Sequence, residues 1–198
     1  MPKTIDEIIR KKNGQKITVV TSYDYTMATL CDEVDILLVG DSAGMVMLGY
    51  ENTAPVTIDQ MCMFTEGVSN GRKNALIVAD LPNKSYENET DAIANSQRLI
   101  KAGADAVKLE GRLPEIIKAI VQADIPVMGH LGLLPQTATK YSVQGKTESD
   151  VESLLDDAKA LQEAGVFSIV LEMVTSEATK KVTEMLSVPT IGIGCGQY

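Results

Sequence analysis

Three features of the sequence predict an α/β fold, and within that class a (β/α)8 barrel of the TIM type with about seven of its eight strands present. Short β-branched runs alternate with longer amphipathic stretches. Several of those runs are almost wholly apolar, as strands covered on both faces must be. A chemically capable polar residue closes five of them.

The strand-like runs, in order, are Ile17–Ser22, Ile36–Asp41, Ala75–Asp80, Ala106–Glu110, Pro126–His130, Ser168–Glu172 and Thr190–Gly194. Helical spacing lies between them. Asn88–Ala102 sets Ile93, Leu99 and Ile100 near one face and stops at Gly103, a residue suited to a left-handed cap. Leu113–Ala123 follows. Asp150–Ala164 spaces Val151, Leu154, Leu155, Ala158 and Leu161 as a helix and stops at Gly165, and Ser176–Leu186 ends shortly before Pro189. The joints Ala102-Gly103-Ala104-Asp105 and Ala164-Gly165-Val166-Phe167 are one device used twice: helix, glycine turn, strand. No linker or low-complexity stretch divides the chain, so residues 1–198 read as one barrel domain. The strand series stops at seven, so that domain is expected to be incomplete at its C-terminus.

Composition narrows the function. Only 4% of residues are aromatic and Trp is absent, so the core must be aliphatic. The net charge is −9 with scattered lysines, which argues against a nucleic-acid footprint or an anionic membrane partner. Cys31, Cys62 and Cys195 are too far apart for a C-x-x-C metal site and read as inert thiols in a reducing compartment. The charged start Met1-Pro2-Lys3-Thr4-Ile5-Asp6-Glu7 lacks the apolar core of a signal peptide, and no apolar run approaches a membrane span. A cytoplasmic protein is expected.

Asp41, Asp80, Glu110, His130 and Glu172 each close an apolar run. Burying an unpaired charge is costly, so packing does not account for them. In a closed barrel all five converge on the C-terminal face, whereas an open sheet would spread them along an edge. Singly, each has a structural explanation: an Asp after a strand is often a cap or turn residue, a Glu can pair with a helix cation, and a lone His is often structural. Together, three hard carboxylates with no Cys partner suit Mg²⁺ better than zinc. Lys108 and Glu110 lie two apart on one strand and face the same side, either as a structural ion pair or as a cation holding an anionic substrate. Gly40-Asp41-Ser42-Ala43-Gly44 is a glycine-flanked loop whose backbone N–H groups could approach a ligand closely.

The segments Thr21-Ser22-Tyr23-Asp24-Tyr25, Leu38-Val39-Gly40-Asp41-Ser42, Ala79-Asp80-Leu81-Pro82, Val107-Lys108-Leu109-Glu110-Gly111, Gly129-His130-Leu131-Gly132-Leu133 and Ile191-Gly192-Ile193-Gly194 form an ordered set. Pro135-Gln136 and Val143-Gln144-Gly145-Lys146-Thr147 add to it. From about Ile5 to Gly196 the chain resembles the ketopantoate (3-methyl-2-oxobutanoate) hydroxymethyltransferase family. The resemblance implies transfer of a one-carbon unit from 5,10-methylenetetrahydrofolate to 3-methyl-2-oxobutanoate, giving 2-dehydropantoate on the route to pantothenate. It implies Mg²⁺ held by Asp41, Asp80 and Glu110, with Asp41, Ser42, Asp80, Lys108 and His130 around the keto acid. It implies Glu172 as the catalytic proton acceptor and a large homo-oligomer, commonly a decamer. Asn83-Lys84 departs from the bulky apolar residues usual in the family, and Thr139-Lys140-Tyr141-Ser142 is a shorter loop than usual.

Three other readings compete. A phosphoenolpyruvate mutase or isocitrate-lyase-like carbon–carbon lyase shares Mg²⁺ and the barrel, but its reactive-Cys loop between Lys and His is missing here. A Schiff-base aldolase through Lys108 conflicts with a carboxylate two residues away that keeps the Lys charged. A non-catalytic barrel remnant is the non-enzymatic possibility.

Overall fold

The computed structural model describes residues 2–198. Seven parallel strands lie side by side in chain order: β1 (Val19–Thr21), β2 (Ile36–Val39), β3 (Leu76–Asp80), β4 (Ala106–Glu110), β5 (Val127–Gly132), β6 (Ser168–Glu172) and β7 (Thr190–Ile193). Such an order with a helix in each later crossover curls the sheet into a nearly closed barrel. β1 and β7 are its outer strands, and across the seam between them Lys16 Nζ donates to the Gln197 carbonyl at 3.0 Å.

All seven expected strands are present, with ends shifted by a few residues. The four expected helices are α5 (Glu89–Lys101), α6 (Pro114–Gln122), α7 (Glu148–Ala164) and α8 (Ser176–Met185). Gly103 and Gly165 have φ of 107° and 102°, the left-handed geometry their joints require. Four further helices precede them: α1 (Ile5–Arg10), α2 (Tyr25–Cys31), α3 (Ala43–Leu48) and α4 (Ile58–Gly71). The signal for α4 lies in the sequence as a Thr57/Gln60 capping box followed by Met61, Phe64, Thr65 and Val68 on its buried side.

Strand alternation sorts the side chains into two layers. Leu37, Val39, Ile77, Ala79, Val107, Leu109, Ile169 and Leu171 face outward and pack under the helices. Ile36, Leu38, Leu76, Val78, Ala106, Met128 and Val170 face inward and fill the lower barrel, whose floor is closed by Ile8 of α1. The polar members of the same inward rows come next along each strand.

The strand starts are tied by carboxylates. Asp32 accepts from the backbone N–H groups of Lys73, Asn74 and Ala75. Asp35 accepts from Lys11 Nζ at 2.6 Å and from Thr18 N at 2.9 Å. Asp105 accepts from Ile77 N at 2.8 Å and pairs with Arg72 at 3.3 Å. These contacts tie down the starts of β1 to β4.

Candidate active site

The register stacks the polar residues at the C-terminal end. Asp80 pairs with Lys108 across β3 and β4, Glu110 with His130 across β4 and β5, and Gly132 with Glu172 across β5 and β6. Asp80, Glu110 and Glu172 are the last residues of their strands, as the sequence suggests. Two positions differ from that expectation. Asp41 lies two residues beyond the end of β2, because the chain turns at Gly40, and His130 lies two residues inside β5, which runs on to Gly132. Gly132 has φ of 94°, and a Cβ there would come within 2.3 Å of the Glu172 carbonyl. That close approach lets Leu133 N donate to the same carbonyl at 2.8 Å.

Lys108 is the centre of charge. Its ammonium is buried and lies 3.0 Å from Asp80 Oδ1 and 3.3 Å from His130 Nδ1. Burial pulls its pKa down, but Asp80, Glu110 and Asp41 outweigh that and hold it above the ordinary lysine value. It is therefore a fixed cation. His130 is driven well below its usual value by burial and by Lys108, so its ring is neutral. Its Nδ1 stands 3.7 Å from Glu110 Oε1 and its Nε2 stands 3.5 Å from Glu172 Oε2. With a neutral ring and those lengths, neither is an ion pair or a full hydrogen bond. A lysine donating toward Nδ1 leaves the proton on Nε2, facing Glu172.

The carboxylates exceed the cations. Burial pushes the Asp41 carboxyl up to about 7, with Asp80 adding to it and Lys108 and Gln136 pulling back. Burial raises Glu110 to about 8 against the lowering effect of Lys108 and of the Gln136 N–H. Glu172 is raised by burial too, while its side chain keeps 19% exposure at the mouth. Asp41 N donates to Asp80 Oδ2 at 3.1 Å, which ties the β2 and β3 ends together. The Ser42 hydroxyl is 2.8 Å from that of Tyr23.

Asp41, Ser42, Asp80, Lys108, Glu110, His130 and Glu172 thus gather at one end of the barrel. Gln136, Tyr86 and Tyr23, which residue chemistry alone does not single out, join them through hydrogen bonds. Crowded, buried carboxylates with one lysine among them are a donor set that fits a hard divalent cation. Among the described residues no three Asp, Glu, His or Cys side chains stand close enough to enclose an ion unaided.

The sequence model of the ketopantoate hydroxymethyltransferase family matches residues 2–198. The chain belongs to the ketopantoate hydroxymethyltransferase family. A 3-methyl-2-oxobutanoate hydroxymethyltransferase of Nitrosopumilus maritimus (strain SCM1) is 60% identical over 99% of this chain and 74% of its own length. One of the same name from Geobacter metallireducens (strain ATCC 53774 / DSM 7210 / GS-15) is 50% identical over 99% of this chain and 77% of its own. Among solved structures, phosphoenolpyruvate phosphomutase from Streptomyces platensis subsp. rosaceus superposes with a TM-score of 0.74 at 13% identity, over 96% of this chain and 72% of its own. The 2,3-dimethylmalate lyase structure gives 0.67 at 19% identity, over 94% and 70%. Those two share the fold. The lyase reading has only that likeness behind it, whereas family membership rests on sequence. Among the described residues no helix is long and apolar enough to cross a membrane.

Proposed function

We propose that this site transfers a hydroxymethyl group from 5,10-methylenetetrahydrofolate to 3-methyl-2-oxobutanoate, forming 2-dehydropantoate for pantothenate synthesis. The observation that carries the reading is the gathering of Lys108, His130 and four carboxylates at the barrel mouth in a chain of this family. Asp41, Asp80 and Glu110 would hold Mg²⁺. When bound, that ion supplies Lewis acidity to the carboxylate and keto oxygens of the 2-oxo acid.

The chain's own residues do the rest. Lys108, locked as an ammonium, adds positive charge where the keto oxygen becomes an enolate oxygen. It cannot form a Schiff base without losing the proton that Asp80 and Glu110 hold on it. Ser42 and His130 offer hydroxyl and Nε2–H donors to the keto acid. Glu172 takes the C3 proton, and its raised pKa brings it nearer the range in which a base works well at neutral pH. The C3–H electron pair then forms the new C–C bond to the folate's one-carbon unit as one of that unit's two C–N bonds breaks. Water replaces the second C–N bond, supplying the hydroxyl oxygen, and tetrahydrofolate leaves with the nitrogens protonated.

Mass spectrometry of mixtures holding both substrates, Mg²⁺ and the protein should show 2-dehydropantoate; no product above the protein-free control contradicts the reading. Asp80→Asn should weaken Mg²⁺ and keto-acid binding together. Keto-acid affinity unchanged by EDTA in calorimetry would remove the ion from the account.

A further inference from the structure

Gln136 has no role in the chemistry above, yet it is the most connected side chain at the site. It lies in the loop between β5 and α7 and is 5% exposed. Its Nε2 donates to Asp41 Oδ2 at 2.9 Å and to the Leu81 carbonyl at 2.9 Å. Its Oε1 accepts from the Tyr86 hydroxyl, and its backbone N–H donates to Glu110 Oε2 at 3.1 Å. Tyr86 in turn accepts from Glu110 N at 3.4 Å. One loop residue therefore touches the ends of β2, β3 and β4.

The amide can sit only one way round. Rotated by half a turn, its oxygen would face a carbonyl and a carboxylate, two acceptors, and its NH₂ would face the Tyr86 hydroxyl. The Tyr86 hydroxyl donates to Oε1 and, with its oxygen, accepts from Glu110 N, which fixes the amide's orientation. A neutral amide also orients a carboxylate without cancelling its charge, which a lysine in its place would do. Among the described residues Asp41 Oδ1 takes no side-chain hydrogen bond, so one oxygen is held and the other is left for a ligand.

We propose that Gln136 is a positioning residue for divalent-cation binding: it orients Asp41 through its amide and Glu110 through its backbone, so that the β5–α7 loop sets metal affinity together with the strands. This rests on the reading that Asp41 and Glu110 hold the ion. Outer partners of metal-binding carboxylates carry about 10–100-fold in metal affinity or activity.

The test is Mg²⁺ titration by calorimetry, without substrates, on the wild type, Gln136→Met, Tyr86→Phe and Asp41→Asn. Gln136→Met keeps the volume and removes both donors and the acceptor. It should bind Mg²⁺ about 10–100-fold more weakly and recover most of its turnover at saturating Mg²⁺. Tyr86→Phe, which frees Oε1 alone, should show a smaller loss in the same direction. A folded Gln136→Met with wild-type Mg²⁺ affinity, or with turnover that Mg²⁺ does not restore, overturns the proposal. If Gln136→Met does not fold, Tyr86→Phe decides, and wild-type affinity in it is the contrary result. Asp41→Asn separates the two levels: unchanged Mg²⁺ binding there overturns the metal reading itself, whereas weakened binding there beside normal binding in Gln136→Met overturns this proposal alone.

Discussion

Asp35 and Asp41 stand at opposite ends of the same strand, β2, and live under opposite electrostatics. Asp35 has Lys11 at 2.6 Å, Lys3 at 3.5 Å and the Thr18 N–H, and those contacts hold its carboxyl below the ordinary value against the raising effect of burial. Asp41 is pushed up to about 7, first by burial and then by the neighbouring Asp80 carboxylate, and its neutral amide partner and a lysine already engaged by Asp80 only partly offset that. Asp32 repeats the first pattern and Glu110 the second. The lower end of the barrel spends its charges on holding strands in place. The upper end gathers carboxylates that folding alone does not use, which is why the proposed function places a cation there.

The sharpest way to break that contrast is Lys108→Met. Removing one partner of a buried pair costs about 3–5 kcal/mol. Denaturant titration should show that loss at pH 8 and a smaller one at pH 5, where Asp41 and Glu110 carry protons. Equal losses at both pH values would mean that the carboxylates do not depend on Lys108. Met128 lies two residues before His130 on the same inward row, in the apolar half. Met128→Ala should cost about 2–5 kcal/mol at every pH, with turnover per folded molecule close to wild type. A pH-dependent loss there would blur the boundary between the two halves.

The contrast also predicts the pH dependence of the metal-free protein. Asp41 and Glu110 keep their protons in the folded state to about 7 and 8, while the unfolded chain releases them near 4. Between those values the folded state binds more protons, so stability falls as pH rises. Asp32 and Asp35, with lowered pKa values, act oppositely: their contribution is present above about pH 4 and is lost in acid. Metal-free melting points should therefore peak in mildly acidic solution, and Mg²⁺ should move the peak toward neutrality. Asp35→Asn should cost about 1–3 kcal/mol at neutral pH and less in acid, whereas Asp41→Asn should raise the metal-free melting point at pH 8. A melting point that climbs steadily from pH 4 to 8 without metal would contradict the assignment.

Much of this was legible in the residues, and unevenly. Parallel strands announced themselves as apolar runs, and Asp80, Lys108, Glu110 and Glu172 could be placed because strand alternation and strand ends are local properties. The early helices were harder to see: α2 and α3 are short and leave Leu30 and Val46 exposed, so their apolar pattern carries no clean period. Gln136 and Tyr86 lie in loops after β5 and β3, where no period exists. Their partners are 95 and 50 residues away in sequence, and only barrel curvature brings them together. The turn at Gly40 that carries Asp41 beyond β2 depends in the same way on a tertiary contact, the bond from Asp41 N to Asp80.

Under the proposed function the upper end of the barrel makes an enolate, a step that needs the keto acid and the ion but no folate. Deuterium exchange at C3 of 3-methyl-2-oxobutanoate in D₂O, followed by proton NMR without folate, measures that step alone. With Mg²⁺ the wild type should exchange C3, EDTA should stop it, and Glu172→Gln should lose about 10²–10⁴-fold while still binding the keto acid. Exchange at the wild-type rate in Glu172→Gln, or exchange indifferent to EDTA, would contradict the account.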